Sequence, residues 1–168
     1  MTSLSSCCPS FIVSRSYFIS SSAGKDKENS SNVVETIIQN GGDAIYVETN
    51  VSSEQSVKNL ITKSINKFNQ IDILINNAGI RHVKKLEDHN LNDWNDMISV
   101  NLTGPYICCQ AVIPEMKKIG KGKIINFGSI ASFMGRPDRI GYVAAKSGVL
   151  GLTRALAIDL KGTNINVN

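Results

Sequence analysis

One hundred and sixty-eight residues suffice for one ordinary domain, and 42% hydrophobic with 19% charged residues is a globular composition, not a disordered or fibrous one. Eighteen Lys and Arg against 14 Asp and Glu leave a net charge of +4, too small an excess to argue for nucleic acid. No apolar run approaches the ~18 residues that span a bilayer, so no membrane partner is expected.

Residues 1–29 form a Ser-rich segment set apart from the rest. The first 25 positions hold nine serines, no acid, and only Arg15 and Lys25 as charges, which is the composition of an organelle transit peptide. The competing reading is a strand, because Phe11-Ile12-Val13 and Tyr17-Phe18-Ile19 are β-branched and aromatic. From residue 30 to 168 the pattern is regular. Val33, Val34, Ile37 and Ile38 recur at helical spacing until Gly41-Gly42. Ala44 to Val47 predicts a strand, and Ser52 or Ser53 caps a helix whose Val57, Leu60, Ile61, Ile65 and Phe68 make one apolar stripe. Ile71 to Ile75 predicts a second strand, ended by Asn76-Asn77-Ala78-Gly79.

Helix is predicted over 92–118, entered through Asn90 or Asn92 and interrupted at Gly104-Pro105, with Trp94, Met97 and Val100 facing the core. Lys123 to Phe127 predicts a third strand, a helix runs from Ile140 to Leu160, and Ile165 to Asn168 opens a fourth strand. Strands alternating with helices of this length give the α/β class: a Rossmann-like, doubly wound parallel sheet covered on both faces. The cysteines stand as adjacent pairs, Cys7-Cys8 and Cys108-Cys109, without metal or redox spacing, so reduced thiols in an intracellular protein are expected. His82 and His89 have no Cys or acid cluster at ligand spacing, and no metal site is expected. The lysines at 117, 118, 121 and 123 read as a solvated turn.

Tyr142 and Lys146 lie four positions apart on a helical segment and project from one face. A phenol is a poor base at neutral pH, and an ammonium held beside it favours the phenolate. Such a pair can pass a proton to or from a carbonyl–alcohol couple. Ser129 follows the Ile124-Ile125-Asn126-Phe127 strand, where ligands sit at the carboxyl edge of a doubly wound sheet. Asn76-Asn77-Ala78-Gly79 ends the preceding strand at the same edge, and Asn101 lies on the helix between the two strands.

These motifs, in this order and spacing over residues 30–168, resemble the short-chain dehydrogenase/reductase family. The resemblance implies an oxidoreductase that interconverts a carbonyl and a secondary alcohol, with Tyr142 as general acid/base and Ser129 bonded to the substrate oxygen. It implies that Lys146 binds the nicotinamide ribose and that Asn101 holds a water of the proton relay. Asn77 would lie against the cofactor ribose, and Asn50-Val51 beside the adenine. The loops Gly128-Ser129-Ile130-Ala131-Ser132 and Gly135-Arg136-Pro137 look like those of 3-oxoacyl reductases or sugar dehydrogenases. Family members also associate through the helices that fall here at 102–118 and 140–160, so a homo-oligomer is implied.

The chain departs from the family at both ends, lacking the glycine-rich turn near its start and the substrate-covering segment after its last strand. No glycine precedes Gly24, and the glycine-rich turn that brings backbone to the cofactor pyrophosphate is absent from the sequence. The Phe11 to Ser20 stretch then fits the family's second strand, and the chain reads as truncated at both ends, with an interior strand's ladder left open. No acid precedes Asp26, where members choosing NAD place one, so NADP(H) is expected, with NAD the alternative. The competing function is a non-catalytic fragment or interaction subunit. The location expected is cytoplasmic, or an organelle if the serine-rich start is a transit peptide.

Overall fold

The computed structural model of the chain describes residues 10–14, 17–21 and 27–168. The apolar start of the chain is not one strand but two. β1 (Ser10–Ser14) and β2 (Tyr17–Ser21) pair antiparallel. The single second strand expected over Phe11 to Ser20 is thereby corrected. Two short strands paired in this way satisfy each other's backbone groups. The transit-peptide alternative rests in part on residues 1–9 and 22–26, which lie outside the described residues.

α1 (Lys27–Gln39) leads to β3 (Asp43–Tyr46) through Gly41, whose φ of 82° favours glycine. Ser53 caps α2 (Glu54–Phe68), its hydroxyl accepting from Ser56 N at 3.3 Å. β4 (Ile73–Asn76) follows. α3 (Leu91–Ile98) starts from a capping box in which Asn90 and Asp93 bond each other's backbone. It continues without a break through one π turn, Ser99–Thr103, into α4 (Gly104–Ile119), so Pro105 occupies a first turn and interrupts nothing. β5 (Gly122–Asn126), α5 (Ile140–Asp159) and β6 (Ile165–Val167) complete the order.

The sheet runs β3-β2-β1-β4-β5-β6. The pairs β2–β3, β4–β5 and β5–β6 are parallel, as the doubly wound reading requires. β1 is the exception, antiparallel to both neighbours and matched to β4 at Phe11↔Ile75, Ile12↔Leu74 and Val13↔Ile73. The ladder of β4 is therefore not left open: β1 fills the slot. β1 also runs against the others, so it begins at the edge where β2, β4 and β5 end.

α2 and α4 pack on one face of the sheet, and the core between them holds Val57, Leu60, Leu74, Val112, Met116 and Ile124. Gly122 is required there, because any Cβ would collide with Met116. Expected burial on both faces is corrected for β5, where buried Gly122 and Ile124 alternate with exposed Lys123 and Ile125. That period of two is the pattern of a strand covered on one side. Trp94 is also more open than expected, at 37% exposure against 1% for Met97.

Cys108 and Cys109 are buried in α4, and burial pushes both thiols up to about 12, a bond from the Asn76 amide opposing the rise at Cys109. An unfolded thiol ionises near ~8.5, so above that pH the folded chain holds protons that the unfolded chain has lost. Stability should then fall as pH rises from about 8.5 toward 12. Urea midpoints at pH 7.5 and 10 check this: the decline should flatten in a Cys108→Ala/Cys109→Ala variant, and an unchanged slope would count against it.

Candidate active site

β4 and β5 are paired in register from Ile73↔Lys123 to Asn76↔Asn126, so both end at one level. Phe127 N extends the ladder by donating to Asn76 O at 3.0 Å. Two residues later Ser129 opens a 3₁₀ turn, Ile130–Ser132, its Oγ accepting from Ala131 N at 3.2 Å. Ser132 Oγ accepts from Ser129 N at 3.2 Å and donates to Lys146 O at 2.8 Å, which pins the turn to α5.

Lys146 is 5% exposed. Its Nζ donates to Phe127 O at 2.6 Å and lies 5.9 Å from the centroid of the Tyr142 ring. A buried ammonium is costly without such partners, and here a strand-end carbonyl and an aromatic face compensate it. Ser129, Tyr142 and Lys146 are thus gathered where β5 meets the first two turns of α5.

Asn101 lies in the π turn and is fully buried. Its Nδ2 donates to Ile80 O and to Met97 O, each at 3.0 Å, and its Oδ1 accepts from Ile80 N at 3.1 Å. The amide therefore clamps the loop after β4 to the α3–α4 helix. Gly79 permits that approach, since a Cβ there would sit 2.8 Å from Asn101 Oδ1. Asn77 is half-buried in the same loop.

Asn50 and Val51 fare differently from each other. Asn50 is exposed, and its Oδ1 accepts from Ser52 N at 3.0 Å and from Ser52 Oγ at 2.7 Å, an Asx turn leading into α2. Val51 is 2% exposed and packs on Gly104, where a Cβ would meet its Cγ2 at 2.9 Å.

The loops above the site are tied together. Lys84 N donates to Asp138 O at 2.9 Å, and Lys84 Nζ is paired with Asp93 at 2.7 Å. Lys84's hydrogen bond, then the Asn90 backbone bond, hold the Asp93 carboxyl below the ordinary carboxylate range. An open cavity of about 480 Å³ lies alongside, bounded by Lys84, Arg136, Arg139, Ile140 and Val143. Ile140, Val143 and Ala144 occupy a different face of α5 from Tyr142 and Lys146, so this cavity is not the space above the tyrosine. Among the described residues no group of three His, Cys, Asp or Glu could hold a metal ion.

Three groups of the site had not been singled out beforehand: the Phe127 carbonyl, the Ser132 hydroxyl and the Asn126 amide. A carbonyl carries no side-chain signal in a sequence. Ser132 and Asn126 could have been found from their places, one at the strand end and one in the turn after it.

A nicotinamide dinucleotide fits this edge unevenly. Lys146 and Tyr142 offer an ammonium and a phenol to a ribose, which suits the nicotinamide end. At the diphosphate end, the slot between β2 and β4 holds β1, antiparallel to both, and among the described residues no strand-to-helix turn lies there.

The family model described as short chain dehydrogenase matches residues 14–168. The chain is 44% identical over 136 residues to a 3-oxoacyl-[acyl-carrier-protein] reductase of Synechocystis sp., covering 81% of this chain and 55% of that protein. It is 38% identical over 142 residues to the 3-oxoacyl-[acyl-carrier-protein] reductase FabG of Staphylococcus epidermidis, covering 84% of this chain and 58% of the relative. The chain thus spans little more than half the length of these relatives. The crystal structure of a protein assigned to the short-chain alcohol dehydrogenases of Sinorhizobium meliloti superposes with a TM-score of 0.82 at 31% identity, over 88% of this chain and 59% of that one. The chain belongs to the short-chain dehydrogenase/reductase family.

Proposed function

We propose that the chain carries the acid–base centre of an NADP(H)-dependent oxidoreductase that interconverts a carbonyl and a secondary alcohol, with a 3-oxoacyl thioester as the carbonyl substrate. One observation carries this reading: the Lys146 ammonium is buried on the Phe127 carbonyl beside the Tyr142 ring, two residues before Ser129. In reduction, the Tyr142 hydroxyl gives its proton to the substrate oxygen, and the Ser129 hydroxyl donates to the same atom. Ser129 Oγ is oriented for this by the Ala131 N–H that it accepts. The Lys146 ammonium offsets the charge left on Tyr142 and binds the cofactor ribose. Asn101 keeps the loop carrying Asn77 against the helix, Asn77 faces the ribose, and Asn50 with Val51 borders the adenine. Bound nicotinamide supplies or accepts the hydride.

The preference for NADP(H) over NAD rests on the lack of an acid before Asp26. The names of the relatives support the 3-oxoacyl class, and a sugar-type alcohol is the competing substrate. Exposed Tyr106 on α4 and exposed Ile140 and Ile158 on α5 support self-association through those two helices. No helix among the described residues is long and apolar enough to cross a membrane, and a cytoplasmic location is part of the proposal.

A second reading, a non-catalytic interaction subunit, is favoured by the strand β1 lying where a diphosphate cradle would be. Calorimetric titration with NADPH, followed by NADPH oxidation on a 3-oxoacyl thioester, separates the two. Binding with substrate-dependent oxidation is the expected result. Neither binding nor turnover by a well-folded chain would establish the second reading instead.

A further inference from the structure

A line of side-chain amides runs beneath the site. Asn76, the last residue of β4, is 3% exposed, and its Nδ2 donates to Asn126 Oδ1 at 2.8 Å and to Cys109 Sγ at 3.4 Å. Asn126, the last residue of β5, donates its own Nδ2 to Thr153 Oγ1 at 2.9 Å. Thr153 Oγ1 in turn donates to Val149 O at 2.8 Å, back along α5. The line has a direction. Asn76 spends its amide N–H groups on Asn126 and Cys109, while its buried Oδ1 has no hydrogen-bond partner among the described residues. Turning the amide over would aim that oxygen at the Asn126 oxygen and lose the bond between the two amides.

The geometry matters because consecutive residues at the end of β5 grip the same helix at two heights. Phe127 O takes the Lys146 ammonium, and Asn126 Nδ2 takes the Thr153 hydroxyl, two turns farther along the same side of α5. Ser132 Oγ on Lys146 O supplies a third tie. Hydrogen-bonded networks of this kind fix one arrangement where apolar contacts tolerate several.

We infer that Asn126 and Thr153 are positioning residues for Lys146: the amide line from β4 sets the register of α5 against the strand ends and so keeps the ammonium on the Phe127 carbonyl beside Tyr142. The inference rests on the acid–base reading above for its meaning in catalysis, but its test does not require turnover.

The measurement is solvent exchange of the Lys146 ammonium protons, followed by nitrogen-15 NMR of the full chain labelled at lysine. The signal is identified by its loss in Lys146→Arg. Thr153→Val keeps the shape of the side chain and removes the hydroxyl, whereas Thr153→Ser keeps the hydroxyl. Exchange should rise about five- to tenfold in Thr153→Val, the loosening that loss of the Asn126–Thr153 tie permits, and return to within about twofold in Thr153→Ser. A purely structural role would lower the urea midpoint of Thr153→Val while leaving Lys146 exchange unchanged, and that result would overturn the inference. So would equal exchange in the Ser and Val variants. If Asn126→Leu does not fold, the Thr153 pair still decides. A Tyr142→Phe chain that kept its rate would defeat the acid–base reading and leave this measurement intact.

Discussion

Replacement of Tyr142 by Phe is expected to lower carbonyl reduction by roughly 10²–10⁴-fold, the range attributable to a positioned general acid. The substitution is clean because it removes one oxygen and nothing else. The ring that faces Lys146 Nζ at 5.9 Å remains, and so does its packing on α5. Cofactor affinity should therefore change little while the rate collapses. Steady-state oxidation of NADPH with a saturating 3-oxoacyl thioester, compared with calorimetric binding of NADPH, reads both quantities. A variant within tenfold of the parent rate would remove Tyr142 from the proton-transfer role.

Lys146→Met should damage more than one property at once. The side chain is buried, and its ammonium is the donor to Phe127 O at 2.6 Å. Methionine fills similar volume but leaves that carbonyl without its donor, a loss of about 1–3 kcal/mol in stability. On the proposed reading the cofactor ribose loses a contact, and the Tyr142 ring loses the ammonium 5.9 Å from its centroid. Arginine should not restore function, because its planar fork cannot replace a compact ammonium in a closed site. Titration of nicotinamide fluorescence beside a urea melt distinguishes these effects. Unchanged NADPH affinity with a lowered urea midpoint would reduce Lys146 to a structural tie between β5 and α5.

Much of the chemistry was legible in the sequence because it follows local periodicity. Tyr142 and Lys146 needed only helical spacing to share a face, and Ser129 needed only a strand ending just before it. The π turn at Ser99–Thr103 was not legible, since nothing in Ser-Val-Asn-Leu-Thr separates a π turn from an α turn. Its consequence was missed with it. Within that turn the Asn101 amide is bonded to Ile80 and Met97 and holds a loop in place.

The antiparallel pair was hidden for a different reason. Period-two patterning reports that a strand exists and says nothing of its direction, and the partner of β1, Ile73–Ile75, is remote in sequence. Val51 is a third case. Its side chain packs on Gly104, an approach that only the tertiary fold reveals.

The antiparallel strand also divides the molecule along a seam. On one side lie β3, β2 and β1 with α1. On the other lie β4, β5 and β6 with α3, α4 and α5, and within the sheet only the three pairs of β1 with β4 join the two blocks. Helix α2 bridges them from above, touching β2 and α4. Asn101, Ser129, Tyr142 and Lys146 all belong to the second block. Native proteins open in cooperative units, and the β1–β4 ladder is one boundary between two such blocks. The first block can therefore loosen while the strand ends and helices that carry these four residues stay together.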